Sequence, residues 1–161
     1  MANQNGYSWL QIGLHWVIAL LIVFQFLFHE GMEDAYKAVQ KGQDVVGNGA
    51  QIHVIVGILV LTLTLLRLII RFRRGVPPAV PGGFPFQELA SKLAHWGLYA
   101  LLILVPASGM AAWGGGIKPA ADVHEILTSA MIFLIALHAA AALFHHYILK
   151  DGLIKRMTKA G

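Results

Sequence analysis

At 161 residues, 57% hydrophobic and only 12% charged, the chain carries roughly half the charged fraction of an ordinary soluble domain. It has no cysteine, which excludes disulfides, thiolate metal sites, c-type haem attachment and iron–sulfur ligation by this chain. The mean hydropathy of +0.65 points instead to an all-α integral membrane protein, one domain over residues 1–161.

The first residues, MANQNGYS, are polar and lack a basic stretch ahead of a short apolar core, so no cleavable signal is expected. A bilayer core requires about 20 apolar residues in a helix. Four stretches meet that need, at about 9–28, 52–72, 93–113 and 123–149, and predict a four-helix bundle. The connectors read as such. Residues 42–49 are polar and contain glycine. Residues 75–85 (GVPPAVPGGFP) are expected not to be helical, because proline removes donors and restricts the residue before it. Residues 114–119 (GGGIKP) read as a tight loop. No internal repeat of solenoid period is present.

Charge sets the expected orientation. Arg67, Arg71, Arg73, Arg74 and Lys92 flank the second connector, and Lys150, Lys155, Arg156 and Lys159 lie in the tail. The opposite side has Lys37, Lys41 and Lys118 against Glu30, Glu33, Asp34, Asp44, Asp122 and Glu125. By the positive-inside rule both N- and C-termini are cytoplasmic. The pI near 9.6 is therefore a topology signal. No nucleic acid partner is expected, since no recognisable binding module accompanies the charge.

Histidine carries the chemistry. An ionisable side chain within a span is costly and marks function by default. The first span holds His15 toward its cytoplasmic end and His29 at its outer end. The second holds His53 in its first, outer turn. The third holds His95 in its first, cytoplasmic turn. The fourth starts outside at His124, reaches His138 about 21 Å deeper, and ends at His145 and His146. Fourteen residues at about 100° each return to within about 40° of the start. His124, His138 and His145 therefore share one stripe of the fourth span, while His146 points elsewhere. Paired by depth, His15 faces His138 in the inner half and His53 faces His124 at the outer edge. Two neutral imidazoles at one depth suit the two axial positions of a haem b iron, and two such levels would hold two haem b groups. Gly13, Gly57 and the Ala139–Ala142 run leave room for a flat macrocycle.

Other readings compete. Membrane histidines also serve as interhelical hydrogen-bond partners, and a haem-free bundle would use them so. Zinc favours histidine, but would draw three or four ligands to one depth. His29 rivals His53 for the outer level, since it repeats the 14-residue spacing within the first span. It lies beside Glu30 where the segment turns polar, so His53 is preferred, in part on the resemblance described next. Trp9, Trp16, Trp96 and Trp113 lie near span ends and read as an aromatic belt.

The stretches LQIGLHW (residues 10–16), IHVIVGILVLTLTLLRLIIR (52–71), HWGLYALLILVPASG (95–109) and VHEILTSAMIFLIALHAAAALFHHYILKDGLIKRM (123–157) resemble the small bacterial cytochrome b561 family. The resemblance covers nearly the whole chain. It implies a multi-pass protein of the bacterial inner membrane, bis-histidine haem b, and ubiquinone or another quinone as redox partner. Carried over by position, it implies His15, His53, His124 and His138 as the ligands of haem iron. His95 and Tyr99 match the family's third-span stretch. A quinone site near the cytoplasmic level is expected, with His95 or His145 relaying protons, or else these two meeting haem propionates or capping helix ends. Arg67 and Arg71 would pair with propionates or anchor the span at the interface.

Two functions follow from the resemblance. One is a transmembrane electron carrier that oxidises a periplasmic donor, superoxide among the candidates, and reduces quinone. An outer face with more carboxylates than lysines counts against an anionic substrate. The other is an anchor subunit passing electrons between a periplasmic dehydrogenase or hydrogenase and quinone.

Overall fold

A computed structural model describes residues 6–78 and 85–161, all-helical among them. Five α-helices follow in chain order: α1 (Trp9–Leu27), α2 (Glu30–Gln40), α3 (Gly49–Arg74), α4 (Pro85–Trp113) and α5 (Lys118–Phe144). A single π-helical turn, His145–Leu149, and a 3₁₀ turn, Leu153–Met157, close the chain. Four of the helices, all but α2, are long and apolar enough to cross a membrane.

Several boundaries have a local cause. Ser8 and Gln11 form a reciprocal capping box at the start of α1, satisfying two of its orphan donors. Gly75 ends α3 at φ 76°, a left-handed conformation that glycine reaches without strain. The last turn of α3 carries Arg71, Arg73 and Arg74, which suit the negative end of its dipole. Pro85 and Pro119 sit at helix starts, where a missing N–H costs nothing.

These caps correct the predicted limits. The expected break over 75–85 holds for Gly75 to Pro78, whereas Pro85 opens α4, and 79–84 lie outside the described residues. Because α4 begins there, His95 lies in its third turn, not its first. Lys118 and Pro119 belong to α5, not to the loop before it. The π turn interrupts the 100° progression at His145, so the stripe drawn through His124 and His138 does not extend to it unchanged. The outer helix α2 was not expected. Its Met32, Ala35, Tyr36 and Val39 recur at helical spacing, and Ala35 is buried.

In the bundle α1 packs on α3, α3 on α4 and α4 on α5, with α2 folded over the N-terminal end of α3. That last contact is backbone on backbone. A Cβ on Gly49 would lie 2.7 Å from the Gly31 Cα, and one on Gly31 3.0 Å from the Gly49 Cα. At the other end the tail folds back under the bundle. Trp16 Nε1 donates to the Met157 carbonyl at 2.8 Å, and Arg156 donates to the Pro78 carbonyl at 2.6 Å. Gly161 N–H reaches Tyr7 O at 3.4 Å. Both termini therefore lie at one end of the bundle, as an even number of spans requires.

Most side chains of the spans are exposed or half-buried, and the largest side chain that is fully buried among the described residues is only that of Thr64. Apolar side chains facing outward are what a lipid-solvated bundle presents.

Candidate functional site

The histidines separate by burial. His15, His53, His95, His124, His138 and His145 are half-buried, while His29 and His146 are exposed. α1 brings His15 to His138 of α5, with ring centroids 6.3 Å apart and planes at 66°. α3 brings His53 to His124 of α5, with centroids 6.2 Å apart and planes at 72°. The two pairs form two levels spaced by 14 residues of α5, about 21 Å along its axis. His29 joins neither. Its ring nitrogen donates to the Phe26 carbonyl at 2.8 Å, and its ring stacks on Phe26.

The pairs fit the axial positions of a haem iron. Metal–imidazole bonds of about 2 Å put the centroids of two opposed imidazoles roughly 6 Å apart, near the observed spacings. The outer level also shows an orphan: His53 Nδ1 is buried without a hydrogen-bond partner. An unpaired buried nitrogen is costly, and a ligand that engages the ring offsets that cost. Among the described residues no group of three or more His, Asp or Glu side chains has the arrangement to hold a metal ion, as a zinc site would require. The space at Gly13 is open, since a Cβ there would meet nothing within 4 Å. Gly57 differs from expectation in being filled: its Cβ would touch the Gln25 side chain at 3.5 Å.

The outer imidazole is locked by α4. His124 Nδ1 donates to the Val105 carbonyl at 2.8 Å, and the Ser108 hydroxyl donates to the same oxygen at 2.8 Å. The bond fixes the tautomer and leaves Nε2 as the lone-pair nitrogen. Gly109 makes the approach possible, since a Cβ there would stand 3.0 Å from the His124 ring. Across the level, Gln25 Nε2 donates to the backbone carbonyl of His53 at 2.9 Å, tying α1 to α3.

The inner level is richer. His95 of α4 meets His138 with centroids 5.3 Å apart, and its Nδ1 donates to the Ser91 carbonyl at 2.6 Å. One turn away, Arg67 donates to the Gln11 carbonyl and to the Tyr99 hydroxyl. Arg71 lies 5.7 Å from the ring centres of both Trp96 and Tyr99, a cation–π arrangement. Gln11 Nε2 closes the network on the Gly75 carbonyl at 3.2 Å. The cavity that Tyr7, Gln11, Arg67, Arg71, Val76 and Tyr99 enclose is only ≈ 10 Å³, room for a water at most.

His145 stands apart from this level. Its Nδ1 bonds the Asp151 carboxylate at 2.5 Å. Asp151 also accepts the Leu153 N–H at 3.0 Å. Partial burial opposes the shift, but these two hydrogen bonds hold the Asp151 carboxyl below its usual range.

Gln11, Gln25, Ser108 and Gly109 escaped the sequence reading. The two glutamines were visible as polar residues inside an apolar run, a signal as strong as a histidine. The roles of Ser108 and Gly109 had no sequence signal, because they act across a helix interface.

Comparison with known proteins matches residues 6–160 to the family model described as prokaryotic cytochrome b561. The chain is 46% identical to a protein named cytochrome b562 from Cereibacter sphaeroides, over 99% of both chains. It is 34% identical to a probable superoxide oxidase, CybB, from Yersinia pestis, over 96% of both. It is 32% identical to cytochrome b561 homolog 1 of Escherichia coli, over 96% of this chain and 97% of that one.

Proposed function

The chain belongs to the prokaryotic cytochrome b561 family, multi-pass proteins of the bacterial inner membrane that bind haem b and transfer electrons, and we propose that it carries two haems. His15 with His138 would hold one, and His53 with His124 the other, within the single domain 1–161. The paired centroid spacings of 6.3 and 6.2 Å carry this reading. Haem iron, when bound, supplies a one-electron couple inside a low-dielectric bundle.

The chain's own groups then have distinct tasks. The Val105 carbonyl holds His124 in the tautomer that offers Nε2. Arg67 and Arg71 bring positive charge to the inner end, where they would offset propionate carboxylates of a bound haem. Both termini face the cytoplasm, by the excess of arginine and lysine at that end. A membrane quinone is reduced at the inner level and takes up protons there. His95 is the relay, because it is half-buried, touches His138 and is fixed by Ser91. His145 is committed to Asp151 and serves the tail.

The electron enters from a periplasmic donor at the outer level. Superoxide is the substrate named for the Yersinia pestis relative. For this chain the carboxylates around α2 and the start of α5 favour a neutral or cationic donor over an anionic one.

The deciding experiment is the haem content of the purified protein by pyridine haemochrome, beside His53→Ala and His29→Ala. Two haems per chain, one lost on His53→Ala and none on His29→Ala, are expected. One haem per chain, or loss on His29→Ala instead, overturns the pairing.

A further inference from the structure

The end of α5 holds a second site chemically unlike the histidine levels. The π turn His145–Leu149 and the tail after it border an open cleft of ≈ 170 Å³, lined by His146, Lys150, Gly152 and Lys155. The nearest carboxylate in sequence, Asp151, is engaged by His145 and the Leu153 N–H. The cleft thus has cationic groups from two turns of chain and no acidic lining residue.

The backbone here is unusual. Lys150 is the one non-glycine with positive φ among the described residues, at φ 52°. Glycine or asparagine adopts that conformation more readily, and Gly152 two residues on does so at φ 77°. A lysine held in the left-handed region is consistent with a function for its ammonium group. The preceding π turn is a feature that often marks a functional site.

What lies beside the cleft identifies the ligand class. Tyr147 and Ile148 are 65% and 66% exposed and continue the apolar surface of the span. A basic cleft bordered by an outward apolar surface matches an amphiphile with an anionic head. A free phosphate ion has no use for the apolar border. We infer that His146, Lys150, Gly152 and Lys155 form a site for the phosphate of an anionic phospholipid, with its acyl chains along Tyr147 and Ile148. This site does not depend on which histidines hold haem.

The test uses haem-loaded protein in detergent with dioleoylphosphatidylglycerol, dioleoylphosphatidylcholine or inorganic phosphate, and counts retained lipid by native mass spectrometry. The haem absorption band confirms that each variant is folded. Phosphatidylglycerol should be retained over phosphatidylcholine. Lys150→Gln and Lys155→Gln should each weaken retention about fivefold, the value of one cation near an anionic surface. Lys150→Arg should restore retention, and Arg73→Gln with Arg74→Gln, exposed at the same end of the bundle, should leave it intact. Equal loss in the arginine pair would reduce the cleft to general surface charge and overturn the site. So would equal retention of the two lipids. Displacement of lipid by millimolar inorganic phosphate would assign the cleft to a soluble anion and overturn the lipid reading.

Discussion

The two histidine levels share a spacing but not a setting. At the outer level, His53 and His124 stand 6.2 Å apart by centroid, and their neighbours are a carbonyl, a hydroxyl, an amide and a glycine. At the inner level, His15 and His138 stand 6.3 Å apart, and a third imidazole, two arginines and a tyrosine surround them. The outer setting fixes one imidazole by packing and a single backbone bond. The inner setting adds groups that can move a proton and balance negative charge. The proposed exchange of electrons alone at one face, and of electrons with protons at the other, would use that asymmetry.

The largest effect that would sharpen this contrast is at His95. In His95→Gln, quinone reduction should fall about 100-fold, the low end of what a positioned acid or base contributes, with haem content unchanged. Loss of haem in that variant would instead make His95 part of the haem site and erase the contrast. Stopped-flow reduction of a short-chain quinone, with the haem spectrum as control, separates the two.

Next in size is the outer cap. Gly49→Ala would put a methyl 2.7 Å from the Gly31 backbone, and neither chain can yield without moving α2. A destabilisation of about 1–3 kcal/mol is expected, seen as a lowered melting temperature of the haem signal proposed for the outer level while that proposed for the inner level melts as before. Simultaneous melting of both would show that the levels are one cooperative unit.

A smaller and more local effect is expected at Gly109. Its added methyl would stand 3.0 Å from the His124 ring, so Gly109→Ala should displace the ring by a few tenths of an ångström at a cost of about 1 kcal/mol. The redox potential of the haem proposed for the outer level should shift in a potentiometric titration, and that of the haem proposed for the inner level should not.

The smallest effect concerns the tail and pH. The Asp151 carboxyl is held below its ordinary value of 3.8, so its hydrogen bonds contribute stability that is present above pH 3.8. That contribution is lost as the pH falls through the lower, folded value. Amide exchange in 145–157 should rise below about pH 4, earlier than anywhere near His53 and His124. Asp151→Asn should show the raised exchange already at neutral pH.

Much of this molecule follows from one-dimensional information. Span length, proline and glycine placement and the arginine bias need only a bilayer thickness and a charge count, so four spans could be assigned without any contact. That His15 and His138 lie at one depth, and His53 and His124 at another, needed only helical rise, because in a bundle normal to a membrane sequence position converts to height. Height does not distinguish partners at one level. Whether His29 or His53 meets His124 was settled in the fold by α1 ending at Leu27 and α2 starting at Glu30, which leaves His29 on the surface. The same holds for the lock on His124, the Arg67–Tyr99–Gln11 network and the commitment of His145 to Asp151. Each joins residues that sequence distance does not relate, and helix rotation and the π turn decide which side chains meet.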